Sequence, residues 1–163
     1  MVNKIRIVGS VGSGKTTLAR KLALQKGFDM YSLDDVVWTR NSEGDLRNSD
    51  EQRDARLDEI LLQSTWIIEG SHLGWSKKTF EQADQIVFLH PSFPVRIYRI
   101  SNRFFKQKRG FEEASYTPTW RMFGRMFKWT YQYETIYKKQ VRDIIRNSTE
   151  KAIEIRDSKE LGV

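Results

Sequence analysis

Gly9-Ser10-Val11-Gly12-Ser13-Gly14-Lys15-Thr16 stands between a short apolar run, Ile5-Arg6-Ile7-Val8, and a helix-prone segment, Thr17-Leu18-Ala19-Arg20-Lys21-Leu22-Ala23. Strand, glycine-rich loop and helix in that order form a phosphate-binding loop, and no other stretch constrains the fold as tightly. The glycines let successive backbone N–H groups turn inward and remove side chains that would block a phosphate. Lys15 is placed to reach the β and γ phosphates, and the Thr16 hydroxyl to ligate Mg²⁺. The helix N-terminus adds unpaired donors and the positive end of its dipole. Two fixed glycines, a lysine and a Ser/Thr co-occur by accident in roughly half a percent of chains of this length, and the flanking strand and helix lower that further. Residues Gly9 to Thr16 together with Thr17 are therefore expected to hold a purine nucleoside triphosphate with Mg²⁺.

The rest of the chain alternates strands and helices. Lys26-Gly27 ends the first helix with glycine at the usual C-cap position. Phe28–Leu33 reads as a second strand, with Asp34-Asp35 at its carboxyl end; Asp35 is also suited to cap a helix beginning at Val36. Arg40-Asn41-Ser42-Glu43-Gly44-Asp45 is polar and turn-rich, the pattern of a mobile loop. Ser49-Asp50-Glu51-Gln52 is a capping box opening a helix through Leu62. Thr65–Glu69, Gln85–Leu89 and Ala152–Arg156 are further strands, Gly70 ending the first of them. A helix from about Pro94 carries Arg96, Arg99 and Arg103 and breaks at Lys108-Arg109-Gly110; after Pro118 a long helix runs to about Asn147. This order predicts an α/β fold of βαβ units around a parallel sheet covered on both faces. Ligands in such sheets bind beyond the carboxyl ends of the strands. The glycine loop, Asp34, Glu69 and His90 all lie at such ends, so they are expected to share one cleft.

The long helix presents Met122, Met126, Trp129, Tyr133 and Ile136 at helical spacing, with Phe123, Phe127, Tyr137 and Ile144 beside them. A stripe of this width reads first as core-facing. The alternative is an aromatic surface for an acceptor ring, nucleic-acid bases or a second subunit.

A chain of 163 residues fits a single domain, residues 1–163, with a sizeable core. No apolar run reaches the length of a membrane span. The N-terminus enters the first strand at once, which reads as no signal peptide, and the absence of cysteine excludes disulfides and thiolate metal sites. A cytoplasmic protein is expected. The net charge of +7 and isoelectric point of about 9.7 suit phosphorylated ligands and also nucleic acid. No recognised nucleic-acid motif accompanies the charge.

On these residues the chain resembles the P-loop kinases of the nucleoside monophosphate (adenylate) kinase type, and within them the small bacterial topology-modulation (FlaR-like) proteins. The resemblance runs from Ile5 to about Ile155. It is strongest in Gly9–Leu22 and continues in Leu33-Asp34-Asp35-Val36-Val37-Trp38, Trp66-Ile67-Ile68-Glu69-Gly70-Ser71, Arg99-Ile100-Ser101-Asn102-Arg103 and Lys108-Arg109-Gly110. It implies a P-loop NTPase fold with a five-stranded parallel sheet sandwiched by helices, and a small helical lid over about residues 104–120. It also implies an ATP-dependent phosphotransferase that moves the γ-phosphoryl group to a hydroxyl or phosphate of an unidentified small acceptor. Lys15, Asp34 and Arg103 would be catalytic, Asp34 orienting or deprotonating the acceptor hydroxyl. Arg99 would stack on adenine, and Thr16 and Glu69 would serve the metal, Glu69 standing where the narrower family usually has Asp. Arg109, Arg121 and Arg125 would add lid contacts, with surface charge as the alternative reading of each. His90 stands where the family commonly has Asp, and a histidine cannot supply an anionic Mg²⁺ contact. Two rival readings remain at this point: a nucleotide-regulated nucleic-acid-binding protein, with weak and sequence-independent DNA binding, and an ATP-binding protein with residual ATPase only.

Overall fold

The structure, a computed structural model, describes residues 2–39, 45–112 and 118–162. Residues 40–44 of the expected loop and residues 113–117 of the expected lid lie outside the described residues. In chain order the elements are β1 (Lys4–Val8), α1 (Lys15–Lys26), β2 (Met30–Ser32), α2 (Leu33–Val37), β3 (Trp38–Thr39), β4 (Leu46–Arg47) and α3 (Asp50–Leu61). They continue as β5 (Trp66–Gly70), α4 (Lys77–Gln82), β6 (Gln85–Leu89), α5 (Phe93–Lys108), α6 (Trp120–Gln132), a π-helical turn (Tyr133–Tyr137), α7 (Lys138–Arg146) and β7 (Ala152–Ile155).

Five strands pair in parallel in the order β2-β5-β1-β6-β7. β1 is the central strand, so both its faces are covered and the loop that leaves it opens over the middle of the sheet. Its side chains alternate. Ile5 and Ile7 join Leu18, Ala19 and Leu22 of α1, with Ile67, Val87 and Leu89, on one face. Val8 joins Trp66, Ile68, Ile86 and Phe88 on the other face, under Leu57 and Ile60 of α3, Phe80 of α4, Tyr133 and Val141. Each such fully buried aliphatic or aromatic side chain contributes about 1.5–3 kcal/mol.

Local signals set the boundaries. Gly27 caps α1 at φ 68°, and Ser49 and Gln52 exchange both bonds of the capping box at α3. α5 buries Arg96, Ile100 and Phe104, four residues apart on one stripe, and the Phe104 ring stacks on Phe123 of α6 at 4.5 Å.

Several expected elements are corrected. The second strand is confined to Met30–Ser32, and α2 begins at Leu33, with Asp34 and Asp35 in its first turn, not at Val36. The single helix from Trp120 is divided by the π turn. Its buried line is Met126, Thr130, Tyr133 and Val141, while Trp129 and Ile136 are 45% and 52% exposed. Trp129 lies within α6 before the π turn, one position short of the buried Thr130, and so falls at the edge of the buried stripe, while Ile136 lies within the π turn itself. α4 and the short antiparallel β3–β4 pair are additions to the expected list. Among the described residues no helix is long and apolar enough to cross a membrane.

Candidate functional site

The glycine loop is held by close backbone packing. A Cβ on Gly9 would lie 2.5 Å from the Leu89 carbonyl oxygen and 2.7 Å from Ser13 Oγ. Gly12 and Gly14 take left-handed conformations, φ 74° and 93°, that other residues adopt only at a cost. Ser13 N–H donates to the Ser10 carbonyl at 3.2 Å, closing the loop, and Leu18 N–H donates to Gly14 at 3.0 Å, starting α1.

β5 runs beside β1 with Glu69 opposite Ile7, which carries the Glu69 carboxylate to the loop. Thr16 Oγ1 donates to Glu69 Oε1 at 3.1 Å, and Lys15 Nζ lies 3.7 Å from Oε2. Glu69 is only 3% exposed, and among the described residues its Oε2 accepts no hydrogen bond. A buried carboxylate oxygen without a donor is costly unless a cation reaches it. Thr16, Lys15 and Glu69 thus form a donor set of hydroxyl, ammonium and carboxylate at the mouth of the loop. A hard oxygen-seeking cation bound through one hydroxyl, one carboxylate and phosphate oxygens fits that set.

A cleft of about 400 Å³ opens at the loop. It is lined by Gly12 to Thr17 together with Leu89, Arg99, Asn102, Arg103, Glu112 and Ser158. Arg99 Nη1 donates to the Ser13 carbonyl at 2.8 Å, and its guanidinium lies 3.8 Å from Asp157. The rear of the loop is tied to α5 as well. Buried Arg96 donates to Ser10 Oγ at 2.8 Å and pairs with Glu134 of the π turn, which also pairs with Lys138. Burial alone would raise the Glu134 carboxyl; the bonds from Lys138 and Arg96 outweigh it and hold the group below the usual carboxylate range. Arg109, Arg121 and Arg125 are exposed and are not among the residues lining the cleft.

Of the sequence-predicted residues, the structure brings together Lys15, Thr16, Glu69, Arg99 and Arg103. Asp34 does not line that cleft. It sits in α2, past the carboxyl end of β2, with Oδ1 3.2 Å from His72 Nε2. His90 also stands apart. Its ring stacks on Phe88 at 5.0 Å, and Nε2 lies 2.9 Å from Glu154, which Arg142 also contacts at 2.9 Å. Burial, with Lys138 and Arg142 beside it, lowers the His90 pKa despite Glu154.

Sequence reasoning missed Arg6, His72, Asn102, Glu112 and Ser158. Arg6 is wholly buried in β1; Nε donates to Thr79 Oγ1 at 3.0 Å, and Nη2 donates to the carbonyls of Gly70 at 3.2 Å and His72 at 3.0 Å. Burial pulls its pKa down to about 10, against the attraction of Glu69. Ser158 follows β7, so the rule of carboxyl-end binding applied to the last strand marks it. Asn102 is one helical turn beyond Arg99 and was within the Arg99–Arg103 run.

A glycine loop leaving the central parallel strand, with a buried carboxylate on the strand beside it and the strand order seen here, defines the P-loop kinase fold. By sequence the chain belongs to the AAA_18 family, an AAA domain whose family model matches residues 5–117. No curated protein matches the chain. Among solved structures it is similar to a shikimate kinase from Acinetobacter baumannii in complex with shikimate, at 16% identity and TM-score 0.58, covering 99% of this chain and 89% of that one. YorR from Bacillus subtilis, in complex with phosphorylated GDP, is similar at 11% identity and TM-score 0.53, covering 96% and 90%. A gluconokinase from Sinorhizobium meliloti 1021 is similar at 18% identity and TM-score 0.51, covering 97% and 86%. At these identities the likeness establishes the fold.

Proposed function

We propose that the chain is an ATP-dependent phosphotransferase acting on a small acceptor. The observation that carries the proposal is the Thr16–Glu69–Lys15 set, with a buried carboxylate oxygen left without a hydrogen bond at the mouth of the glycine loop. The P-loop kinase fold supports it, as does the family membership. Two of the solved structures with this fold are named for small hydroxylated acids, shikimate and gluconate. Within the class, the sequence pieces around Asp34, Glu69 and Arg99–Arg103 favour the topology-modulation type.

In this reading the loop N–H groups and Lys15 bind the triphosphate. Thr16 and Glu69 would hold Mg²⁺, which would supply charge neutralisation on the triphosphate. Arg99 lies over the loop on the nucleotide side, and Arg103 reaches the transferred group, where negative charge spreads in the transition state. Asp34 stands on the acceptor side and takes the acceptor proton. ADP release from Mg-ATP, measured with and without each member of an acceptor panel, tests the proposal. An acceptor-dependent rate above the acceptor-free baseline is expected. Baseline release with every acceptor would leave only residual ATPase.

A further inference from the structure

We propose that Asp157 is a positioning residue for the nucleotide: it holds the Arg99 guanidinium in one plane against the glycine loop, so that the cleft grips the nucleobase of a nucleoside triphosphate as well as its phosphates. The inference rests on the nucleotide-binding part of the reading above and not on transfer to an acceptor.

The last strand brings Asp157 to the cleft. β7 runs parallel to β6 with Ile155 opposite Leu89, and His90 N–H donates to the Ile155 carbonyl at 2.8 Å. Leu89 lines the cleft, so the residues after Ile155 leave the sheet beside it, and Ser158 lines the cleft too. The Asp157 carboxylate is fixed by its own backbone surroundings. It opens the 3₁₀ turn Ser158–Leu161, with Oδ1 accepting from Lys159 N–H at 3.0 Å. Glu160 Oε1 accepts from the N–H groups of Arg156 and Asp157, each at 2.8 Å, and closes the capping box. Oδ1 is thus turned toward the backbone, and Oδ2 lies 3.8 Å from Arg99 Nη2.

Arg99 is held at two of its nitrogens. Nη1 donates to the Ser13 carbonyl at 2.8 Å, and Nη2 faces Asp157. Gly14 permits the first contact, since a Cβ there would lie 3.3 Å from Nη1. The N–H bonds of a guanidinium lie in its plane, so acceptors at two nitrogens fix that plane and leave its faces without hydrogen-bond partners. Those faces are the surfaces on which arginine stacks against aromatic rings. The Arg99 side chain lines the cleft and is 39% exposed, so a flat ring can reach it. Arg103, one helical turn on, lines the same cleft and among the described residues makes no hydrogen bond or ion pair. The two arginines are therefore suited to different parts of one ligand: Arg103 offers N–H donors to phosphate oxygens, and Arg99 offers a fixed plane to the base. A carboxylate beside a polyphosphate site repels the phosphates. Asp157 therefore favours the nucleotide only through the arginine it orients.

The test is titration calorimetry with Mg-ATP and with Mg-tripolyphosphate, which carries the phosphates without the nucleoside. It is run on the parent, Asp157→Asn, Arg99→Ala and the double variant. The amide of Asp157→Asn keeps an oxygen for Lys159 N–H, so the turn survives while the charge is lost. ATP affinity should fall about two- to fivefold in Asp157→Asn, the range of an exposed ion pair. Tripolyphosphate affinity should hold or rise, because a negative charge beside the phosphates is gone. In the Arg99→Ala background, Asp157→Asn should no longer weaken ATP binding. An equal fall for both ligands would mean that the substitution disturbs the cleft as a whole. ATP affinity unchanged or raised would mean that Asp157 acts only as a surface charge. The same ATP loss with and without Arg99 would mean that the two residues act apart. Each of these three results overturns the proposal. A parent that binds neither ligand overturns the glycine-loop reading and this proposal with it. The comparison reads binding alone, so a failure of every acceptor in the transfer assay would remove the phosphotransferase reading without altering any of these outcomes.

Discussion

Gly12→Ala probes how tightly α5 is packed on the phosphate loop. Gly12 has φ 74°, and an added Cβ would sit 2.8 Å from the Arg96 carbonyl oxygen and 2.9 Å from Ile100 Cγ1. Alanine in the left-handed region costs about 1–2 kcal/mol. The contacts add an overpacking cost of about 1–3 kcal/mol, because a backbone carbonyl cannot rotate away. Nor can α5 retreat freely, since Arg96 is bonded to Ser10 Oγ and Ile100 is 1% exposed. The total of about 2–5 kcal/mol corresponds to a fall in Tm of roughly 4–20 °C for a domain of this size. Gly27→Ala is the matched control: φ is 68°, but nothing lies within 4 Å of the added Cβ. It should lose only the conformational part, a fall of roughly 2–4 °C per kcal/mol. Calorimetric melts of parent and both variants, with and without Mg-ATP, give the comparison. Gly12→Ala should melt clearly below Gly27→Ala and show a smaller ATP-induced rise in Tm, whereas Gly27→Ala should keep the parent's rise. Equal melting of the two variants would refute the reasoning that α5 seals the loop.

Three further outcomes follow from the site. Lys15→Ala removes a charge-assisted contact worth roughly 1.5–3 kcal/mol, so ATP affinity by titration calorimetry should fall by about one to two decades with the fold intact. Arg103→Ala should lower turnover more than ATP affinity, and Arg99→Ala should mainly weaken nucleotide binding; parent-like values of both constants in both variants would remove the two arginines from the account. Asp34→Asn should retain Mg-ATP binding while transfer falls roughly 10²-fold or more, and Glu69→Gln should raise the Mg²⁺ concentration needed for activity. If added Mg²⁺ alone cures Asp34→Asn, the division of roles between the two carboxylates is wrong.

The fold was legible where local chemistry and strand pattern agree. The glycine loop, Gly27, the Ser49–Gln52 box and five short apolar runs each carry their own signal, and together they specify the sheet and its open end. What escaped depends on contacts distant in sequence. Ile5-Arg6-Ile7-Val8 reads as an apolar strand containing one charge. That the charge lies wholly buried, bonded to Thr79 and to the carbonyls of Gly70 and His72, follows only when residues 70–79 fold over β1. His72 escaped for the same reason: its partner is 38 positions away and meets it through the close packing of Gly70 on Leu33. Six-residue α4 is too short for its helical period to register, and the π turn at Tyr133–Tyr137 breaks the period on which the aromatic stripe was read. Glu69 was legible as a strand-end carboxylate, but its contacts to both Lys15 and Thr16 required the pairing of β1 with β5.

The fate of the ATP γ-phosphate decides whether the protein is a phosphotransferase. Phosphorus NMR of Mg-ATP incubated with the protein and an acceptor panel separates the three products of interest. A phosphomonoester of one acceptor, growing in step with ADP and abolished in Lys15→Ala, is the predicted result. ADP accompanied only by inorganic phosphate for every acceptor, or ATP left intact by a protein that binds it, would contradict the account.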